Sequence, residues 1–238
     1  PVAVGEVGLC AITRTVYAEA AGVLADYLAP HQVAVGVPGG LDILVHGVRA
    51  FLRAQPEHVV VRLDLRNAYN EIDRCVALRR LAAVPELAHL APLFHALHAP
   101  MARLQLSPGR GLFDGVAGRA GDSEEGVRQG SAESSAVFCV GIAPELAALD
   151  RELAAVGGVA RGDADDIYAC GPPAVVFEAV ARFAEAVERE LGLVMRPEKL
   201  LCFSHNLDLA TCPERVAHRV PVGILRDEAD EPLLVPCG

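Results

Sequence analysis

The sequence is almost devoid of lysine. Its 238 residues contain one, Lys199, beside twenty arginines. Together with the richness in alanine, glycine and valine, this imbalance indicates a compositional drift that replaced lysine by arginine wherever either residue would serve. Only lysine readily gives up a proton near neutral pH. The retained Lys199 is therefore singled out for closer attention.

Long apolar runs and paired cysteines are missing as well. No apolar stretch approaches the roughly 18 residues of a membrane-spanning helix, which excludes a membrane protein. Seven cysteines lie far apart without a CxxC pair, which argues against a zinc finger or a disulfide framework and favours a reducing compartment. The start has neither an initiating Met nor a basic leader. We expect a domain cut from a longer intracellular protein, nuclear or cytoplasmic, and not a secreted one.

The bulk composition describes a folded and acidic chain. Hydrophobic residues make up 52% and the mean hydropathy is +0.32, which excludes disorder as a description of the whole. The length suits one large domain or two small ones. The net charge of -10 argues against a free-standing nucleic-acid binder, since such domains usually carry a basic surface.

Hydrophobic periodicity predicts alternating helices and strands. Residues 8–28, 41–53, 67–81, 86–98 and 131–149 have helical spacing, and Pro144 marks a kink or break. The clearest amphipathic helix spans 173–191 and stops at Gly192. A short β-branched run predicts a strand at 58–64, and further short runs predict strands at 156–162, 167–170, 193–196 and 200–204, with an extended tail after 213. The order is that of a β-α-β-β-α-β split arrangement, an antiparallel sheet with helices on one face.

The stretch "GDADDIY" at 162–168 places three carboxylates in four positions between two predicted strands. Like charges this close raise one another's pKa unless a cation binds them. One interpretation is a solvated hairpin turn, in which Asp is common. The other is a divalent metal site. The predicted topology makes this turn a neighbour of the strand that ends at Asp64, so carboxylates about a hundred residues apart could share one ion.

Four segments, in this order and spacing, resemble the palm motifs of reverse transcriptases from non-LTR retrotransposons and group II introns. They are "VRLDLRNAYNEIDR", "GVRQGSAESSAVFCVGIAPEL", "DADD" and "LGLVMRPEKLLCF". The resemblance implies an α+β polymerase palm, ferredoxin-like, with partial helical fingers. Its implied boundaries are 1–57 for partial fingers, 58–204 for the palm with a fingers insertion at about 81–125, and 205–238 for the start of the primer grip without a thumb.

The resemblance also implies a two-metal reaction. A primer 3′-hydroxyl would attack the α-phosphate of a deoxynucleotide, and two Mg²⁺ ions, or Mn²⁺, about 3.5–4 Å apart would stabilise the attacking and leaving oxygens. Asp64 and Asp165 would bridge the ions, and Asp166 would support the second ion or the hairpin. The implied partners are an RNA template, a DNA or RNA primer and dNTPs, with no membrane.

Further positions receive substrate roles from the same resemblance. Tyr69 would lie under the incoming sugar and exclude a ribose 2′-hydroxyl, although plain helix packing also explains an aromatic there. Lys199 would donate a proton to the departing pyrophosphate, which arginine could not do. The remaining positions, expected against the nucleotide, its triphosphate or the template, are Arg66, Arg128, Gln129 and Gly130.

Several departures from the family pattern leave alternatives open. Asp163 stands where an aromatic is usual, Ser131 and Ala132 replace the usual acidic or polar residue and proline of the second motif, and Arg196 stands where asparagine is common. A decayed or domesticated palm that binds nucleic acid or protein is one alternative. An RNA-dependent RNA polymerase and an acidic interaction module are the others.

Overall fold

The computed structural model describes residues 7–98, 102–106, 118–123, 125–128, 131–218 and 220. Helices dominate these residues and a short antiparallel sheet lies among them. In chain order the elements are α1 Val7–Glu19, α2 Ala21–Leu28, α3 Gly40–Ala54, β1 Val59–Leu63, α4 Ala68–Glu71, α5 Arg74–Ala83, a 3-10 turn Ala88–Leu90, α6 Ala91–His98, β2 Ala102–Leu106, β3 Gly118–Ser123, α7 Ala132–Ala154, β4 Val159–Asp163, β5 Asp166–Gly171, α8 Pro173–Leu191, a 3-10 turn Pro197–Lys199, β6 Leu201–Phe203 and α9 Pro213–Ala217.

Four strands form one antiparallel sheet in the order β4, β5, β1, β6, while β2 and β3 form a separate hairpin. In the four-stranded sheet, Leu63 of β1 lies opposite Ile167 of β5, and Asp163 of β4 lies opposite Asp166 of β5. The β-branched run in β1 suits a strand buried on both faces. The mixture of helices with an antiparallel sheet is confirmed.

Helices cover both faces of this sheet. Successive strand side chains point to opposite faces. Val59, Val61 and Leu63 join the larger core with α7 and α8. Val60 joins a second core with residues of α3, namely Leu44, Val48 and Leu52. The prediction of helices on one face only was therefore wrong, because the amphipathic α3 buries its apolar stripe against the other face.

Of the two long helices, α8 matches the prediction closely, whereas α7 differs from it at the proline. In α8 the predicted apolar face is at most 3% exposed, and Gly192 ends the helix with φ +70°. Helix α7 runs without interruption through Pro144, so the predicted break there is absent. The guanidinium of Arg80 donates to the carbonyl of Gly141 and pairs with Glu145 (2.5 Å), which ties α5 to the turn of α7 that contains the proline.

Other predicted elements differ in their boundaries. The run 67–81 forms two helices, because Asp73 caps the second by accepting from the amides of Cys75 (2.7 Å) and Val76 (3.0 Å). The run 8–28 forms α1 and α2. Residues 193–196 form only one bridge, between Met195 and Leu65, and residues 213–217 form α9 where an extended tail was expected.

No helix in the described part of the chain has the length and apolarity needed to cross a bilayer. The boundaries of fingers, palm and primer grip stay predictions. Most of the predicted primer-grip segment, 221–238, lies outside the described residues.

Candidate functional site

The acidic stretch forms the tight hairpin between β4 and β5. Asp163 and Asp166 pair across it, and Ala164 and Asp165 are the two residues of the turn. Ala164 has φ +55°, a left-handed conformation that costs an alanine about 1–2 kcal/mol. The surrounding structure must therefore hold this turn in place.

The sheet brings Asp64 to this hairpin. Asp64 directly follows Leu63, whose partner Ile167 directly follows Asp166, so Asp64 and Asp166 lie at the same end of adjacent strands. Burial raises the pKa of the Asp165 carboxyl, and the negative charges of Asp166, Asp64 and Asp163 raise it further. The carboxylates of the first and third motifs thus share one neighbourhood.

Asp64 already has a cationic partner, which sequence reasoning did not identify. Its Oδ1 accepts from Nη2 (2.5 Å) and Nε (3.0 Å) of Arg196, and the Arg196 amide donates to the Asp64 carbonyl (3.0 Å). The Asp64 side chain is 14% exposed and that of Arg196 31%. The one available signal was that Arg196 occupies a motif position where asparagine is common.

The donor chemistry of this site fits Mg²⁺, which prefers carboxylate oxygen. The geometry is not a ready-made cage: among the described residues, no group of three or more His, Cys, Asp or Glu side chains is arranged to hold a metal ion. Arg196 occupies Oδ1 of Asp64. Asp64, Asp165 and Asp166 could therefore hold an ion only after their side chains rearrange.

Tyr69 lies beside the hairpin on α4. Its ring stacks on Phe138 of α7 with centroids 5.0 Å apart, and its hydroxyl lies 3.1 Å from Oγ of Ser135. Burial raises the pKa of Tyr69, and the charges of Asp165 and Asp163 also raise it despite the hydrogen bond to Ser135. The ring is thus both packed against the core and close to the aspartates.

The second motif packs on α4. The amide of Val127 donates to the carbonyl of Tyr69 (2.5 Å), and that of Gly126 to Ile72 (3.1 Å). Arg128 follows, and its guanidinium donates to the carbonyl of Leu97 (3.3 Å). Gln129 and Gly130 lie outside the described residues.

The other two predicted cations differ in their surroundings. Arg66 forms an ion pair with Glu71 at 3.1 Å and is 55% exposed, so the structure gives it a local partner. Lys199 is exposed at the end of the 3-10 turn that begins directly after Arg196, and its amide donates to the Arg196 carbonyl (3.0 Å). Lys199 and Arg196, the partner of Asp64, therefore lie in the same short connection before β6.

Two further residues contact the hairpin without any signal in the sequence. Cys139 of α7 is fully buried, and burial together with the charges of Asp163 and Asp165 raises its thiol pKa, which makes it an unreactive packing residue. Gln32, in the connection before α3, hydrogen-bonds the backbone of Ala164.

Comparisons with known proteins bear on the fold. No protein-family model and no curated protein matches the sequence. Solved structures of telomerase from Candida tropicalis do resemble it. The apo structure has a TM-score of 0.58 at 11% identity and covers 85% of this chain and 37% of that one. The apo structure truncated from the C-terminal domain has a TM-score of 0.56 at 13% identity and covers 83% of this chain and 41% of that one.

A third structure, the same telomerase in complex with a TWJ fragment of telomeric RNA, has a TM-score of 0.54 at 12% identity and covers 82% of this chain and 34% of that one. At these identities the likeness shows the fold alone. The chain spans less than half the length of each telomerase chain. The likeness supports a polymerase palm fold.

Proposed function

We propose that this chain is the fingers and palm part of a reverse transcriptase that adds deoxynucleotides to a primer on an RNA template. The observation that carries the proposal is the meeting of Asp64 with Asp165 and Asp166 at one end of the sheet. Support also comes from the likeness to telomerase, itself a reverse transcriptase, which has been solved with telomeric RNA.

The finer assignment rests on the motifs. The strand order β4, β5, β1, β6 is compatible with the split β-α-β-β-α-β palm, and the four motifs resemble those of non-LTR and group II intron enzymes. We therefore include a retroelement origin and an intracellular location in the proposal.

Each predicted site residue has a role in this proposal. Bound Mg²⁺ would supply charge stabilisation at the reacting phosphate. Asp64 and Asp165 would hold the ions, and Asp166 would support the second ion or the turn. The Tyr69 ring, already fixed by Phe138, would limit the space at the sugar 2′ position. Lys199 would donate a proton to the leaving pyrophosphate.

The other substrate contacts would come from the second motif and from Arg66, which lies close to Asp64 in the first motif. Gln129 and Gly130 would lie against nucleotide and template, Gly130 because it lets the backbone approach closely. Arg66 and Arg128 would bind triphosphate or backbone phosphates after giving up their present partners, Glu71 and the Leu97 carbonyl.

A second candidate function is a palm that binds nucleic acid or protein without catalysis. Two observations favour it: Arg196 occupies Oδ1 of Asp64, and Asp163 adds a charge beside the turn. A site that no longer binds metal would tolerate an ion pair between Arg196 and the predicted metal ligand Asp64.

Primer extension with the full-length protein tests both candidates. We expect incorporation of dNTPs on an RNA template with Mg²⁺ or Mn²⁺, loss of it in Asp165→Ala, and no loss in Asp26→Ala, an exposed aspartate on α2. An inert parent protein that gains synthesis on Asp163→Tyr would favour the decayed palm. A parent that prefers rNTPs would favour an RNA-dependent RNA polymerase.

A further inference from the structure

We propose that Gln32 is a positioning residue that fixes the aspartate turn of the candidate site. Its side-chain amide forms two hydrogen bonds with one residue of that turn: Nε2 donates to the Ala164 carbonyl (2.8 Å), and Oε1 accepts from the Ala164 amide (2.9 Å). Gln32 is 1% exposed, and it lies far away in sequence, before α3. This inference rests on the proposed function and deepens it.

The backbone around Gln32 places the amide over the turn. Residue Gln32 forms a parallel bridge with Gly162 on the outer edge of β4. The Gly162 amide donates to the His31 carbonyl (2.8 Å), and the Val33 amide donates to the Gly162 carbonyl (2.9 Å). A Cβ at position 162 would lie 2.9 Å from Nε2 of Gln32, so a side chain there would displace the amide, and glycine leaves room for it.

The carboxylate of Asp150 in α7 contacts the same edge. Asp150 of α7 lies 3.2 Å from Nδ1 of His31, and it accepts from the guanidinium of Arg161 (2.6 Å) and from the amide of Ala160 (2.8 Å). Backbone hydrogen bonds thus hold the segment that carries Gln32 to β4, and Asp150 holds β4 to α7. The Gln32 side-chain amide therefore lies against the turn, within hydrogen-bond distance of Ala164.

A neutral side-chain amide is suited to the backbone and charges of this turn. Ala164 has φ +55°, which alanine rarely adopts, and it stands between Asp163 and Asp165, whose charges repel. An uncharged amide is both donor and acceptor, so it satisfies the N–H and the C=O of Ala164 at once without adding charge. By fixing Ala164, Gln32 fixes the direction in which the Asp165 carboxylate points.

Two substitutions test this in the full-length protein. Gln32→Leu replaces the amide by an apolar side chain of similar size and so removes both hydrogen bonds. Gln32→Glu is isosteric, but its ionised carboxylate cannot donate to the Ala164 carbonyl and adds a negative charge. The matched control is Gln55→Glu, the same change at an exposed glutamine after α3.

The first readout is amide hydrogen exchange at Ala164, which does not depend on activity. In Gln32→Leu we expect its protection factor to fall about tenfold relative to the control, as the loss of hydrogen bonds of ordinary strength predicts. In Gln32→Glu we expect the same loss at neutral pH and recovery at acidic pH, because a protonated carboxyl can donate as the amide does. Unchanged protection in both variants, or no recovery at acidic pH, would overturn the assignment.

The second readout is primer extension. We expect kcat to fall at least tenfold in Gln32→Leu with little change in KM for dNTP, because the turn and not the nucleotide contact is disturbed. If protection falls while kcat matches the Gln55→Glu control, the positioning role is overturned and the proposed function stands. If the parent shows no synthesis while protection falls as expected, the proposed function fails and Gln32 still fixes the turn.

Discussion

The guanidinium of Arg196 donates twice to Oδ1 of Asp64, from Nη2 at 2.5 Å and from Nε at 3.0 Å. The pair joins the end of β1 to the connection that precedes β6. In this pair, Arg196 neutralises the Asp64 carboxylate, which would bind a metal ion under the proposed function. Competition between Arg196 and metal is therefore a property that can be measured.

Removal of Arg196 is expected to strengthen metal binding. In Arg196→Asn the carboxylate of Asp64 loses a charge-assisted partner, and we expect Mn²⁺ affinity to rise about tenfold, equivalent to ~1.4 kcal/mol. Titration of Mn²⁺ followed by electron paramagnetic resonance measures it. Arg189→Asn, at an exposed ion pair on α8, is the control. A gain that persists when Asp64 is also changed to Asn would place the ion elsewhere.

The crowded turn is expected to make stability depend on pH. Burial raises the pKa of Asp163 and of Asp165, and neighbouring carboxylates add to the effect. The folded chain then keeps protons that the unfolded chain has lost, so the free energy of unfolding falls as pH rises from about 3.9 through the raised pKa values.

The variant Asp165→Asn tests this origin. It removes one titrating group and one of the clustered charges, so we expect a melting temperature a few degrees above the parent at neutral pH without divalent metal. At acidic pH, where the parent carboxyls are protonated, the difference should vanish. Asp26→Asn should show neither effect. A variant less stable than the parent at neutral pH would contradict the electrostatic explanation.

Tyr69 is expected to have separable roles in sugar selection and packing. In Tyr69→Ala, we expect use of rNTPs relative to dNTPs to rise at least tenfold, because the ring would no longer obstruct a 2′-hydroxyl, together with a loss of about 3 kcal/mol of stability from the lost stacking on Phe138. Tyr69→Phe keeps the ring and removes only the contact with Ser135, at a cost of about 1 kcal/mol. Equal sugar selection in all three proteins would assign Tyr69 to packing alone.

Lys199 is expected to act through its proton and not only through its charge. Because arginine keeps the charge but holds its proton, we expect Lys199→Arg to lower kcat about as far as Lys199→Gln, on the order of a hundredfold. The measurement is the pH profile of single-turnover dNTP incorporation. Glu198→Gln, the adjacent exposed residue, is the control. Full activity of Lys199→Arg would reduce the role to electrostatics.

The helices and strands with strong periodicity could be predicted from the sequence. The apolar face of α8 and its stop at Gly192 follow directly from spacing and from glycine's access to positive φ. The β-branched run of β1 is equally local. Weaker signals misled the prediction. Helix α7 continues through Pro144, because packing of its buried apolar residues stabilises it, and Asp73 caps a new helix within a run that periodicity alone joined.

The residues of the candidate site divide in the same way. The sequence by itself determined which side chains are candidates for the chemistry, because Asp64, the aspartate doublet and Lys199 stand in ordered motifs whose residue types would suit it. Only the tertiary structure decided that Arg196 neutralises Asp64, that Gln32 holds Ala164 and that α3 covers the second face of the sheet. Those contacts join segments about 130 residues apart or depend on which face of a strand is left open, and no local pattern encodes a partner that distant.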